Sequence, residues 1–333
     1  MNDRVHTIAD LEAIVGAAPM GVKMKIIDHL DATAKRWIGA APLAFVGFGT
    51  DDGPRVTAAG GPAGFAGVGA DGVLRIPLSA LDDAGGIEAG RGAGVLFLIP
   101  GVGETLRANG RVAGVDDTAV EIAVEECFVH CAKALIRSDF WTSAGAPAPT
   151  DPAAFVNATR FLALATMEAE GRIDVSPKGD PAGLLIRLDG ERASLAERPG
   201  NRLAFGYRNM IEQPRVAVLG VIPGVTATVG FPGVAHLTSD ETIRAGFVVE
   251  DKMPIMATVI DGVRPAIRPA GALERATLWP AGPAPQGIDA ATTLVAHLKL
   301  NKERGPGAAL LRLAATRGIV QKGLASNYRT DLY

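Results

Sequence analysis

The feature that most constrains this chain is that it repeats itself. Gly60-Gly61-Pro62-Ala63-Gly64-Phe65 is echoed by Gly179-Asp180-Pro181-Ala182-Gly183-Leu184, 119 residues on. Leu98-Ile99-Pro100-Gly101-Val102 returns as Val221-Ile222-Pro223-Gly224-Val225, 123 residues on. An apolar run ending in an acidic-Gly turn precedes each Gly-Pro segment, over 43–53 and then 161–171. Arg-x-x-x-Trp closes each copy, as Arg137/Trp141 and Arg275/Trp279, 138 residues apart. Four landmarks in one order define a tandem duplication. The spacing is that of a domain and not of the ~20–50-residue unit of a solenoid. The reading divides the chain into a first copy with an N-terminal helix (1–145), a second copy (151–283) and an extension (284–333), with an Ala/Pro/Gly-rich joint over 143–152.

Each copy reads mostly as strands. Apolar or alternating runs over 43–48, 72–78, 93–99, 104–112 and 120–124 lie between Gly, Pro and Asp turns. The second copy offers 161–166, 183–188, 192–195, 216–222 and 257–260. With 41 Gly and 22 Pro against 11 Phe, 3 Tyr and 3 Trp, the chain suits many short strands and turns built on aliphatic residues. Many short strands and few helices predict a mainly β protein with a small antiparallel barrel in each half. Val22, Ile26, Ile27, Leu30, Ala34, Trp37 and Ile38 predict one amphipathic helix ahead of the first barrel. In the extension, helical spacing over 291–298 and a run over 308–316 predict two short helices about a Gly-Pro-Gly break.

Charge and cysteines narrow the function. A net charge of -3 supplies no positive field for a nucleic-acid backbone. Cys127 and Cys131, with His130 between them, are too sparse for a disulfide framework or a structural zinc site. No signal-peptide pattern or membrane-length apolar run is seen, so a cytoplasmic protein without nucleic-acid or membrane partners is expected.

The chemistry concentrates in the second copy. Arg172-Ile173-Asp174-Val175-Ser176-Pro177-Lys178-Gly179-Asp180-Pro181 is followed by Glu197-Arg198-Pro199-Gly200-Asn201-Arg202 and the helix-like stretch 203–211. A Pro-Gly turn running through Asn201 and Arg202 into a helix start brings backbone N–H groups and a guanidinium to one point, which suits a phosphate. The residues alone leave open which molecule carries it, and a solvated surface turn has the same sequence.

The order of these segments resembles the pyridoxamine 5'-phosphate oxidase-like, FMN-binding split-barrel superfamily, above all its branch of FMN-dependent proteins. The first copy supplies further matching segments: 27–31, Ile99-Pro100-Gly101-Val102-Gly103-Glu104-Thr105-Leu106-Arg107 and His130-Cys131-Ala132-Lys133-Ala134-Leu135-Ile136-Arg137. The resemblance covers about 1–283. It implies a homodimeric barrel with FMN at the interface, touched by both subunits. On that pattern Arg202, Asn201 and Arg198 hold the phosphate. Ser176 and Lys178 lie beside the isoalloxazine, with Arg172 on the same strand. Glu104, Thr105 and Arg107 come from the opposing barrel, and Lys133, Arg137 and Trp141 close the site.

The two copies depart from the pattern in complementary ways. The first has Thr57-Ala58-Ala59-Gly60 where the second has Ser176-Pro177-Lys178-Gly179, and it lacks an Arg-Pro-Gly-Asn-Arg turn. The second has Thr226-Ala227-Thr228-Val229-Gly230 where the first has Gly103-Glu104-Thr105-Leu106-Arg107, and Arg268 and Gly271 replace His130 and Lys133. The expectation is an intramolecular pseudo-dimer of two tandem split barrels with a helical tail and one composite flavin site. Such a chain is a monomeric pseudo-dimer or a homodimer. It would act as an FMN-dependent oxidoreductase on a small-molecule substrate, with NAD(P)H as candidate reductant and no catalytic residue assigned. The alternatives are a non-catalytic carrier or sensor of flavin, deazaflavin or haem, with His130 and His236 as haem candidates, and a cofactor-free scaffold. Trp141 and Trp279 read as core residues, both cysteines as buried thiols, and Asp174 and Asp180 as turn caps.

Overall fold

In the computed structural model, which describes residues 3–143, 145, 147–200 and 202–333, the two copies form two antiparallel sheets of one design. After β1 (Arg4–Val5), the first copy runs through β2 (Leu43–Thr50), β3 (Gly53–Gly60), β4 (Gly67–Val68), β5 (Leu74–Pro77), β6 (Gly92–Leu98), β7 (Thr105–Val115) and β8 (Ala119–His130). The second runs through β9 (Phe161–Met167), β10 (Ile173–Gly179), β11 (Ile186–Asp189), β12 (Arg192–Glu197), β13 (Arg215–Val221), β14 (Ala227–Thr238), β15 (Met256–Asp261) and β16 (Ala266–Pro269). The sheet orders are β3-β2-β6-β7-β8-β5-β4 and β10-β9-β13-β14-β15-β12-β11. They match place for place, so the duplication is a duplication of fold. The helices are α1 (Ile8–Val15), α2 (Met20–Lys23), α3 (Ala32–Ala40), α4 (Lys133–Arg137), α5 (Pro152–Ala158), α6 (Phe205–Glu212), α7 (Glu241–Ala245), α8 (Gly271–Ala276), α9 (Ala290–Leu300), α10 (Pro306–Ala314) and α11 (Arg317–Thr330).

The period of two along a strand explains why the barrels join. On β2, Ala44, Val46 and Phe48 enter the core of the first barrel, while Leu43 and Phe45 face a core between the barrels. On β9, Leu162 and Leu164 enter the second barrel, and Phe161, Ala163 and Ala165 face the same shared core. A strand buried on both faces reads as an unbroken apolar run, which is how both appear in the sequence. Neither outer face can be left in water, so each barrel covers the other's. Phe45 and Phe161 meet there with ring centroids 5.6 Å apart. Trp141 and Trp279 both flank Phe140, at 4.9 and 5.5 Å, and belong to this shared core.

A pseudo-twofold relates the two ends of the interface. Arg137 of α4 donates Nε–H to the carbonyl of Gly179, 2.9 Å away, and Arg275 of α8 does the same to Gly60 at 3.0 Å. Both glycines are required by close approach. A Cβ on Gly179 would lie 2.0 Å from the Ala134 carbonyl oxygen, and one on Gly60 would lie 2.2 Å from that of Ala272.

Three expectations are corrected. The apolar stripe from Val22 to Ile38 is not one helix. Asp31 caps α3 by accepting from the Ala34 N–H at 2.8 Å; before it, Val22 lies in the separate short helix α2, and Ile27 bridges Cys127. Residues at the chain start do not stay with the first copy: β1 pairs with β14, and Val5 and Leu11 join the second barrel's core. The extension holds three helices, because α11 (Arg317–Thr330) follows a Thr316 cap. Its polar, glycine-containing sequence buries no residue fully, so it carries no strong periodic signal. Among the described residues no helix is long and apolar enough to cross a membrane.

Candidate functional site

A cavity of about 340 Å³ lies where the late part of the first barrel meets the early part of the second. Arg107 on β7, His130 on β8, and Lys133 and Arg137 on α4 form one wall. Ser176 and Lys178 on β10, Glu197 on β12, Arg198, Arg202 and the start of α6 form the other. Six Lys or Arg residues line it against three acids, Asp180, Glu197 and Asp331.

Buried carboxylates hold the cations in place. Arg107 reaches from the first barrel to Asp174 of the second at 2.5 Å, and Asn109 Nδ2 donates to the same oxygen at 3.2 Å. Ser176 Oγ donates to the other Asp174 oxygen at 2.7 Å. Lys178 pairs with Glu197, which also accepts from the Tyr207 and Thr258 hydroxyls, each at 2.6 Å. Asp180 accepts from Arg198 Nε at 2.9 Å and stands 3.6 Å from Arg137 Nε of the other copy. Burial raises the Asp180 carboxyl above its ordinary range, against the pull of Arg137 and Arg198.

Among the described residues the cavity also holds buried polar atoms without partners, an acceptor, Asp180 Oδ1, as well as donors. Arg107 Nε and Nη2, Arg198 Nη2 and His130 Nδ1 are buried and have no hydrogen-bond partner among the described residues. Burial, and then the cations Arg107, Lys25, Lys178 and Arg137, hold the His130 imidazole well below its ordinary titration range, so it is neutral at pH 7. Arg202 and Ala204 take left-handed backbone, at φ 62° and 57°, and turn the chain into α6. The first amides of α6 have no side-chain cap. Buried donors without acceptors are costly unless a ligand supplies the acceptors.

A second cavity of about 470 Å³ adjoins the first and shares His130, Cys131, Lys133, Gly200, Arg202 and Asp331 with it. Its outer wall is the extension. Tyr328 donates its hydroxyl to Glu104 at 2.8 Å and accepts from the Ala132 N–H at 3.2 Å. Burial raises the Glu104 carboxyl. Beyond α11 the chain enters the first cavity. Lys133 Nζ pairs with Asp331 at 2.8 Å, Arg137 Nη1 donates to the Leu332 carbonyl at 2.8 Å, and the Arg198 guanidinium lies 5.3 Å from the Tyr333 ring centre.

Of the residues expected at a cofactor site, Ser176, Lys178, Arg198, Arg202, Arg107, Lys133 and Arg137 surround the first cavity. Glu104 lines the second instead. Thr105 lines neither; it is buried beside His130 in the β7–β8 ladder, with its hydroxyl unpartnered. Arg172 is set apart, because its half-exposed guanidinium pairs with Glu168 in a separate small cleft. Asn201 lies outside the described residues. Asp174 and Asp180 are not turn caps but anchors between the barrels, and Cys131 is a half-buried thiol on both cavities. His236 stands elsewhere, on β14, 3.8 Å from Asp261. Sequence reasoning missed Glu197 as the anchor of Lys178, Tyr207, and the whole contribution of the extension. An acid next to Arg198 was the one available signal.

The related end of the interface is built differently. Thr57 and Ala59 stand at the positions of Ser176 and Lys178, and Gly230 at that of Arg107. The charges there pair among themselves: Arg55 with Asp83 at 2.6 Å, Arg268 with Asp83 at 3.9 Å, and Arg275 with Asp82 at 3.7 Å.

Comparison with known proteins finds what the chain is similar to. A family model described as pyridoxamine 5'-phosphate oxidase matches residues 151–279. Solved structures with similar folds include the HupZ protein of Group A Streptococcus, with 17% identity over 36% of this chain and 91% of that one and a TM-score of 0.29. A putative pyridoxamine 5'-phosphate oxidase of Lactobacillus delbrueckii matches with 17% identity over 38% and 97%, at 0.28. HutZ, a haem storage protein of Vibrio cholerae, matches with 15% identity over 35% and 90%, at 0.24. No curated protein matches the chain.

Proposed function

With residues 151–279 forming a split barrel of the pyridoxamine 5'-phosphate oxidase family, we propose that the cavity between the barrels holds one FMN and that the protein is an FMN-dependent oxidoreductase. The observation that carries this reading is the set of six cations, Arg107, Lys133, Arg137, Lys178, Arg198 and Arg202, drawn from both copies onto one cavity. An anionic, acceptor-rich ligand satisfies them. Arg198, Arg202 and the uncapped start of α6 would take the phosphate. Ser176 and Lys178 would lie along the ring, where a fixed cation favours an electron-rich state. Lys133 and Arg137 would close the site from the first barrel. Bound FMN supplies hydride chemistry, and the chain supplies position, charge and exclusion of water. The substrate would be a small organic molecule, with NAD(P)H visiting the same flavin face in turn.

FMN titration followed by flavin fluorescence tests the composite site. Arg202→Ala and Lys133→Ala, made singly, are each expected to lower flavin occupancy, because they come from opposite barrels. Full occupancy in either variant overturns it. One observation favours a second reading, a haem or flavin carrier: the neutral His130 has a ring nitrogen free of hydrogen bonds on both cavities. A yellow protein that bleaches with NAD(P)H supports the enzyme. A Soret band on adding haemin, absent in His130→Ala, supports the carrier.

A further inference from the structure

The second cavity has a chemistry of its own. Lys25, next to the short helix α2, is 7% exposed and lines it. Among the described residues no carboxylate pairs with Lys25. Its ammonium lies 5.4 Å from the Phe128 ring centre, and Arg107 lies 5.2 Å from the same centre. A buried ammonium held over an aromatic face with no paired carboxylate is incompletely compensated. Aliphatic side chains line the same cavity, Leu294 and Leu298 of α9 and Val320 and Leu324 of α11. Of the three cations that line this cavity, Lys133 pairs with Asp331 and the exposed Arg202 is shared with the first cavity, so the buried ammonium left for a ligand is that of Lys25. It suits one carboxylate on an apolar body. Glu104, in the same cavity, disfavours a second negative charge on the ligand.

We propose that this cavity is the substrate cavity and takes a small amphipathic monocarboxylate, its carboxylate on Lys25 and its apolar chain along α9 and α11. The role of substrate rests on the flavin reading above, whereas the ligand class rests on this cavity alone. The two cavities share the stretch from His130 to Lys133, so a molecule held here borders the proposed flavin site. The extension is then the element that builds the specificity of the site.

Calorimetric titration of the full chain with octanoate and with octanamide tests the assignment. Octanoate is expected to bind at least about tenfold more tightly, the worth of one charge-assisted hydrogen bond. Lys25→Met is expected to bring octanoate down to the octanamide level while FMN affinity stays as in the wild type, and Lys25→Arg to keep the preference. Leu298→Trp, which fills the cavity without touching the charge, is expected to abolish binding of both. Equal affinity of the two probes for the wild type overturns the proposal, as does wild-type octanoate binding by Lys25→Met or Leu298→Trp. Octanoate binding with these dependences in a protein that takes no FMN sinks the flavin reading and leaves the ligand class standing.

Discussion

Single residues decide how the two barrels are locked. Arg107 and Asp174 form a buried pair across the interface, with side chains 3% and 4% exposed. Removing one partner of such a pair typically costs about 3–5 kcal/mol, because the other charge is left buried. Asp174→Ala is therefore expected to lose stability of that order in urea denaturation. Asp174→Leu combined with Arg107→Met should recover part of it. A loss under about 1 kcal/mol would mean the pair does not hold the interface. Lys25 gives a pH signature. Burial, and then Arg107, lowers its ammonium from 10.5 to about 8. The folded state therefore prefers the neutral amine, and stability rises as pH climbs from about 8 towards 10.5. The preference for octanoate over octanamide should fade as pH passes about 8, and Lys25→Arg should keep it. A preference unchanged at pH 9.5 would count against Lys25 as the carboxylate's partner. Most of the cavity's cations were legible in the sequence, because Ser-Pro-Lys-Gly-Asp and Arg-Pro-Gly-Asn-Arg are compact motifs. Their acids were not. Asp174 and Asp180 gain their cross-barrel partners, Arg107 and Arg137, only when the other copy arrives, and local spacing carries no trace of that.

At the level of elements, the close seat of α4 on the end of β10 shapes the cavity, and the seat of α8 on β3 is its twin. Gly179→Ala and Gly60→Ala each drive a methyl into a carbonyl oxygen and should each cost about 1–3 kcal/mol or more in thermal unfolding. Their effects on the site should differ. Only Gly179 lines the cavity, so only Gly179→Ala is expected to weaken FMN binding several-fold. Equal effects of the two on flavin affinity would remove the asymmetry between the two ends. Strands buried on both faces were easily read, since β2, β6, β9 and β13 are unbroken apolar runs. Helices were read less well. The stripe from Val22 to Ile38 has helical spacing, yet the Asp31 cap and the Ile27–Cys127 bridge divide it. Helix α11 escaped because it rests partly on the Tyr328 hydroxyl donating to Glu104 and on Lys133 donating to Asp331 just beyond its end, and not on an apolar stripe.

For the molecule as a whole, fusion changes what symmetry demands. A homodimer built from one copy must keep both halves of its site in every copy, whereas two fused copies are free to divide them. Here the cavity end carries Arg107, His130, Lys133, Lys178, Arg198 and Arg202, while the twin end spends its charges on internal pairs. On the proposed flavin reading one FMN per chain is expected, whatever the oligomeric state, and flavin absorbance against protein concentration measures it. The extension adds what a symmetric dimer could not: an asymmetric strap over one end only. Asp331, Leu332 and Tyr333 engage Lys133, Arg137 and Arg198, three of the cations that the phosphate and ring would need. On the proposed reading the strap and the cofactor would therefore compete for the same donors. Asp331→Ala frees the Lys133 ammonium, and stopped-flow quenching of flavin fluorescence should show FMN associating several-fold faster and binding more tightly. Weaker binding would show instead that Asp331 orients Lys133 for the cofactor and that the strap belongs to the site's closed form.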